Sequence, residues 1–491
     1  VYVTDWLAGR ASLTPNLIAA IDADNQESWT FFEMNKRANG LAQYFRENGI
    51  SKGDRVALCA ENHLSFFDFL FACWKLDAIF VPLNWRLADN ELQYIINHCR
   101  PKIVGVKSDR VISLEFGQTL IIDATYEQMV MSSENTFNES EDDLAPVVII
   151  YTGGTTGRPK GVVLTKKNIL ANAMNTIISW GLTRDEVTYT ALPMFHTGGL
   201  NSLTLPVLLN GGTVVYSAKF EPKSAVQHLN QYHCTIVLFV PTMYQMIMQM
   251  EEFKTEDFPS MKCFLSGGAP CPHPVYDQFK EKKQPFKEGY GLSEAGPNNF
   301  YISPEMAEIK RGSVGKPMLL NSVKIMMNDK EIKGEEVGEL FIKGDHVFCG
   351  YWENEHETHN AIQDGWLKTG DLARRDEDGY FFIVGRLKDM IITGGENVYP
   401  IEIENVLLAH ADIKEAAVIG ADDPIWGEAA HAYVSTINPQ LDEHQLKAYC
   451  QRQLANYKVP KKIHFIDELP KTFVNKIDKK MLIKKSALDM K

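Results

Sequence analysis

The stretch Tyr151-Thr152-Gly153-Gly154-Thr155-Thr156-Gly157-Arg158-Pro159-Lys160-Gly161 gathers the groups that a phosphate chain needs. Glycines let backbone amides approach a ligand closely, because no Cβ intervenes. Thr152, Thr155 and Thr156 add hydroxyl donors and Lys160 adds a point charge. A donor-rich loop with one ammonium is suited to polyphosphate. It is not a Walker A loop. Counting from Gly154, Pro159 stands where that motif needs glycine and Gly161 where it needs the Mg²⁺-binding hydroxyl. Taken alone, the stretch also reads as an ordinary Gly/Thr surface turn.

Other segments carry chemistry of the same kind. Gly289-Tyr290-Gly291-Leu292-Ser293-Glu294 offers a flat ring for a base, a hydroxyl for phosphate and a hard carboxylate for Mg²⁺. Its bland reading is a strand end closed by a capping glutamate. Thr369-Gly370-Asp371 reads as a turn whose aspartate bonds its own backbone or accepts two ligand hydroxyls. His196, in Leu192-Pro193-Met194-Phe195-His196-Thr197-Gly198, reads by itself as structural. The run 237–244 leads into a methionine-rich helix at 245–250, which reads as core. Ser266-Gly267-Gly268-Ala269-Pro270 supplies backbone without bulk, and Lys476, in a polar tail, reads as solvated.

In order and spacing these segments resemble the motifs of the adenylate-forming superfamily, in its acyl-CoA synthetase and fatty-acid–CoA ligase branch. The resemblance covers nearly the whole chain. It implies that Lys476, His196 and Lys160 are catalytic. It implies ATP or AMP binding by Thr152, Gly153, Gly154, Thr155, Thr156, Gly157, Lys160, Gly268, Ala269, Tyr290, Gly291, Ser293, Asp371 and Arg386. Glu294 would hold Mg²⁺, and His196, Thr197, Gly198, Val240, Gly267 and Ala295 would line the acyl pocket. Gly394, Gly395 and Glu396 would line the CoA channel, with Lys388 as the hinge; Trp426-Gly427-Glu428 also looks like the CoA-ligase version. ATP, Mg²⁺ and CoA are therefore the expected cofactors and co-substrates. Three positions depart from the family pattern: Gly153 stands for serine, Asn475 for glycine and Lys479 for arginine. These departures are expected to slow the first half-reaction.

The resemblance implies an ATP-dependent carboxylic acid–CoA ligase that works through acyl-AMP. The windows 194–203, 238–246, 264–272 and 290–302 contain no lysine or arginine, which disfavours a second carboxylate. The segment 192–200 around His196 contains no acid to hold an amino group, which disfavours an amino-acid substrate. A medium- or long-chain fatty acid is favoured over an aryl or 2-succinylbenzoate-type acid. Loading of a carrier protein and a nucleotide-binding pseudoenzyme are the readings from other classes.

The elements that must position these residues follow from periodicity. Thr30-Phe31-Phe32-Glu33 has capping-box spacing before Met34, Ala38, Leu41 and Phe45, and Gly49 is placed to end that helix. Strands are expected at 55–59, 78–82, 102–106 and 146–150, with helices at 64–76, 89–99 and 166–180. Strands alternating with helices predict α/β architecture with parallel sheets. The expectation is a large N-terminal domain of parallel-sheet α/β subdomains, residues 1–387, and a small mobile α+β domain, residues 388–491. The latter would contain helices at 400–410 and 442–454 and strands at 416–420 and 431–436.

The chain has 491 residues, 45% of them apolar, enough for large cores in more than one domain. A net charge of −13 argues against non-specific nucleic-acid binding. No secretory signal or membrane span is evident, and eight scattered cysteines without a CxxC pair read as reduced, buried residues, so a cytoplasmic location is expected. A homodimer is compatible with all of this.

Overall fold

The computed structural model describes residues 5–107, 112, 114, 117–132, 142–153, 158–472 and 477–489. Among them, strands gather into four sheets, of which two are mainly parallel and covered by helices. The first runs Gly350–Tyr351, Lys160–Thr165, Pro146–Thr152, Ile79–Leu83, Arg55–Cys59, Ile103–Val106 and Gln118–Ile121. The second runs Phe286–Glu288, Cys263–Ser266, Ile236–Phe239, Val187–Thr190, Thr213–Tyr216, Ile18–Asp22 and Glu27–Thr30. Its central pairings are parallel, so the loops that follow Phe239, Ser266, Glu288 and Thr190 leave from one edge. Carboxyl ends of parallel strands are where such sheets bind ligands.

Helix Phe31–Glu47 begins with the expected capping box: the Thr30 side chain accepts from Glu33 N at 3.2 Å, and Glu33 accepts from Thr30 N at 2.8 Å. Met34, Ala38, Leu41 and Phe45 are buried. The helix packs beside Ser65–Leu76, which is buried nearly all round and carries Asp68 inward. There Arg37 pairs with Asp68 at 2.7 Å and the Tyr126 hydroxyl donates to the same carboxylate at 2.7 Å. A charge so deep is held because both its oxygens are hydrogen-bonded.

Three expectations change. Thr369-Gly370-Asp371 lies inside strand Trp366–Arg375 rather than in a turn. The turn-like signal is local: Gly370 has φ +70°, and Asp371 N donates to Thr369 Oγ1 at 3.1 Å within the strand. The methionine-rich helix starts earlier, at Pro241, and runs to Met248, because proline fits the first helical turn. Seven cysteines are buried, but Cys349 is exposed; none forms a disulfide. Most of the acidic stretch 132–143 lies outside the described residues.

The third sheet is antiparallel and includes Trp366–Arg375 beside Phe381–Arg386. The fourth contains only strands between Ile391 and Phe465, with helices Pro400–Leu408 and Glu443–Gln451 packed on it. Its core, from Ile391 to Ile463, shares no buried residue with the cores of the preceding sheets. No helix among the described residues is long and apolar enough to cross a membrane.

Candidate active site

The glycine- and threonine-rich stretch is the connection of a β-hairpin. Pro146–Thr152 pairs antiparallel with Lys160–Thr165, and Thr152 lies opposite Lys160. Helix Lys166–Trp180 starts only after the second strand, capped by Thr165, which accepts from Asn168 N at 3.1 Å. The N-terminus of that helix therefore does not open directly from the loop. Gly154, Thr155, Thr156 and Gly157 lie outside the described residues. No described residue lies within 4 Å of the position a Cβ on Gly153 would take.

Lys160 is ion-paired with Glu357, and its ammonium lies 5.1 Å from the centre of the Tyr351 ring. The Tyr351 hydroxyl donates to Glu294 Oε1 at 2.9 Å. Burial raises the Glu294 carboxyl above the ordinary carboxylate range, opposed by that hydrogen bond. A nearby cation would reverse this shift. Among the described residues no three His, Cys, Asp or Glu side chains cluster as a metal cage. A single carboxylate suits Mg²⁺, which keeps waters and takes substrate phosphates as ligands.

Tyr290, Asp371 and Arg386 form one network. The Tyr290 hydroxyl donates to Asp371 Oδ2 at 2.6 Å, and Arg386 Nε lies 3.1 Å from Asp371 Oδ1. Asp371 and Arg386 are directly paired across adjacent strands, and Asp371 is 5% exposed. Tyr290 packs edge-on against Phe300. Behind it stands Glu288, which the sequence reading passed over. Glu288 accepts from Tyr276 Oη at 2.5 Å and Cys271 N at 3.1 Å, so it ties the loop after Ser266 to the strand that carries Tyr290. Burial pushes its carboxyl up to about 7. A signal was present, an acid directly before Gly289, but its partners are remote in sequence.

Val240, Gly267, Gly268 and Ala269 follow two adjacent strand ends of the second sheet; Gly267 N donates to Phe239 O at 3.2 Å. Gly291, Ser293 and Ala295 continue from the third strand end, with Ser293 and Ala295 buried. His196 caps the short helix Thr197–Asn201, its Nδ1 accepting from Gly198 N at 3.2 Å. A neutral ring held this way carries its proton on Nε2. The loop before it is clamped by Asn62, another residue missed from sequence: Met194 N donates to Asn62 Oδ1 at 2.8 Å, and Asn62 Nδ2 donates to Leu192 O at 3.0 Å.

A narrow cavity of about 10 Å³ lies beneath Gly198 and Gly199, walled by Thr188, Thr190, Leu203 and Leu238. Leu238 is partly exposed although its strand is central, and a Cβ on Gly267 would lie 3.2 Å from its Cδ1. It thus stands between Gly267 and the cavity. A roomier space, about 400 Å³, opens elsewhere between Ser179, Tyr301, Met306, Lys316 and Tyr380. Of its lining residues, Tyr301 and Ile302 fall within the window 290–302.

Lys388 lies in a short 3₁₀ turn after Arg386, where burial and the charges of Arg386 and Lys480 lower its ammonium below the usual range, opposed by Asp389 and Asp371. Gly394 and Gly395 form the turn of a hairpin, Glu396 begins its second strand, and Gly394 N donates to Trp426 O at 2.9 Å. Lys476 and Asn475 lie outside the described residues. Lys479 pairs with Glu404 at 2.6 Å, fastening the last helix to Pro400–Leu408.

Residues 7–352 match the family described as AMP-binding enzyme, and residues 402–476 match the AMP-binding enzyme C-terminal domain. The chain is 36% identical over 477 residues to a feruloyl-CoA synthase of Amycolatopsis sp, covering 96% of each chain. It is 36% identical to the 2-succinylbenzoate–CoA ligase of Bacillus licheniformis, over 96% of this chain and 98% of that one. Among solved structures, the o-succinylbenzoate CoA synthetase of Bacillus subtilis with its acyl-adenylate intermediate superposes with a TM-score of 0.88, at 31% identity and 98% coverage of both chains. The same enzyme with ATP and magnesium ion matches at a TM-score of 0.87 and 31% identity, over 99% of both chains.

Proposed function

The chain belongs to the AMP-binding enzyme family, and from that premise we propose that it is an AMP-forming carboxylic acid–CoA ligase for a ring-bearing monocarboxylic acid. The observation that carries the nucleotide half is the Tyr290–Asp371–Arg386 network beside the strand ends of the second sheet. Asp371 is already oriented by a hydroxyl and a guanidinium, so it accepts the ribose hydroxyls without reorganising. The Tyr290 ring offers the adenine a face, and Gly268 and Ala269 border it. Lys160 and the Thr152–Gly153 end of the hairpin take the triphosphate.

Glu294 would hold a magnesium ion, which would neutralise phosphate charge. The acid's carboxylate attacks the α-phosphorus and pyrophosphate leaves. Lys476 offsets the charge that accumulates where the two anions meet, which is worth several kcal/mol in a dry site. Domain 388–491 then turns about Lys388, Gly394, Gly395 and Glu396 border the entering CoA, and its thiolate displaces AMP.

For the acid, sequence alone favours a fatty chain. One finding favours a ring. The relatives named above act on feruloyl and 2-succinylbenzoyl groups. The windows 194–203, 238–246, 264–272 and 290–302 hold no lysine or arginine, which supports one carboxylate rather than two. Release of AMP and pyrophosphate over a panel of acids, with and without CoA, tests this. Turnover that requires a ring acid and CoA supports the proposal. Fatty-acid turnover would return the substrate to the chain-like class. Adenylate without CoA dependence would indicate carrier loading, and silence with normal ATP binding a pseudoenzyme.

A further inference from the structure

Lys160 does not wait in water for its phosphate. It is 17% exposed, and its ammonium is shared between the Glu357 carboxylate and the face of Tyr351. Glu357 is itself only 34% exposed, and its place is set by the fold. It lies in helix Glu355–Ala361, where Asn354 Oδ1 accepts from Glu357 N at 3.1 Å. The strand just before, Gly350–Tyr351, is paired with the second strand of the phosphate hairpin, Gly350 opposite Val163 and Tyr351 opposite Val162. Thr358 Oγ1 accepts from Tyr351 N at 2.8 Å and locks helix to strand. The carboxylate is therefore held against the hairpin by backbone pairing and a side-chain clasp. Glu357 also falls between the two matched stretches, 7–352 and 402–476, so neither family description assigns it a role.

A triphosphate and this carboxylate want the same ammonium. If Glu357 stayed in place, its charge would face the arriving phosphates. If it leaves, the ion pair must be broken. Either way the carboxylate sets a threshold that the nucleotide has to overcome, and the same preference acts in reverse when pyrophosphate departs. We propose that Glu357 is a positioning residue that holds Lys160 in the nucleotide-free enzyme, yields it to the triphosphate and takes it back as pyrophosphate leaves. This rests on the assignment of Lys160 to the triphosphate.

Titration calorimetry with ATP and Mg²⁺, together with steady-state pyrophosphate inhibition, tests it on the full chain. A half-exposed ion pair weighs enough for a change of about threefold. E357Q is expected to bind ATP about threefold tighter and to be inhibited by pyrophosphate at about threefold lower concentration. Its KM for the acid and its melting temperature stay at the wild-type values. In a K160M background the same substitution is expected to change neither. Unchanged or weaker ATP binding by E357Q overturns the proposal, as does an equal gain in the K160M background, since the carboxylate would then act on the phosphates without Lys160. If K160M by itself binds ATP like the wild type, the assignment of Lys160 fails first and takes the proposal with it, an outcome recognisable from that single variant.

Discussion

Asp371 makes the sharpest claim at the scale of single residues. Its carboxylate is buried, accepts from Tyr290 and pairs with Arg386. Hydrogen bonds to a charged group contribute about 1.5–3 kcal/mol each, so D371A should raise the KM for ATP by at least about tenfold. The KM for the acid should stay unchanged; an equal rise in both would remove Asp371 from nucleotide recognition. Glu288 gives a different readout. Its carboxyl is raised from 4.5 to about 7 in the fold, so between those values the folded protein binds a proton that the unfolded chain has lost. Stability from this group is full below about pH 4.5 and is lost as pH rises through about 7. Melting temperature should therefore fall across that window, and E288Q should flatten the fall. An unaltered slope in E288Q would refute this. The sequence displayed Asp371 and Tyr290 as motif residues, but their contact joins positions on two different sheets. Glu288 and Asn62 escaped notice for the same reason, because their partners become neighbours only when strands align.

At the scale of elements, two glycines of the site should respond oppositely to a side chain. A Cβ on Gly199 would lie 2.2 Å from the Pro193 carbonyl oxygen, so the backbone would have to shift. G199A is expected to lower the melting temperature and to cost roughly 1–3 kcal/mol, measured by denaturant unfolding. No described residue crowds the Cβ position of Gly153, so G153S should leave stability unchanged. The added hydroxyl should speed acid-dependent pyrophosphate exchange several-fold, in line with the donor that this position lacks; an unchanged exchange rate would contradict that. The α/β alternation, the capping box at Thr30 and helix Lys166–Trp180 were legible because apolar periodicity and caps are local signals. The hairpin form of the phosphate loop was not, since Gly/Thr content specifies a bend without its partner strand. Thr369-Gly370-Asp371 was read as a turn because the local bonds of a turn are present; the surrounding strand is imposed by pairing with Gly338–Lys343 and Phe381–Arg386.

At the scale of the whole molecule, the account requires nucleotide and acid sites at one sheet edge and a separate body that alternates between two tasks. The strand ends beyond Phe239, Ser266, Glu288 and Thr190 supply the first requirement. The independent core from Ile391 to Ile463 is compatible with the second. Substrate choice was the least legible feature, because the residues around His196, Val240, Gly267 and Ala295 come from separate strand ends. One competition assay addresses the central claim directly. The enzyme is given ATP, Mg²⁺ and CoA with equimolar ferulate, 2-succinylbenzoate, benzoate and octanoate, and the CoA thioesters are identified by mass together with AMP. A thioester of a ring-bearing monocarboxylic acid, formed one-to-one with AMP, is the result expected. Octanoyl-CoA or the 2-succinylbenzoate thioester as the main product, or AMP formed without any thioester, would contradict it.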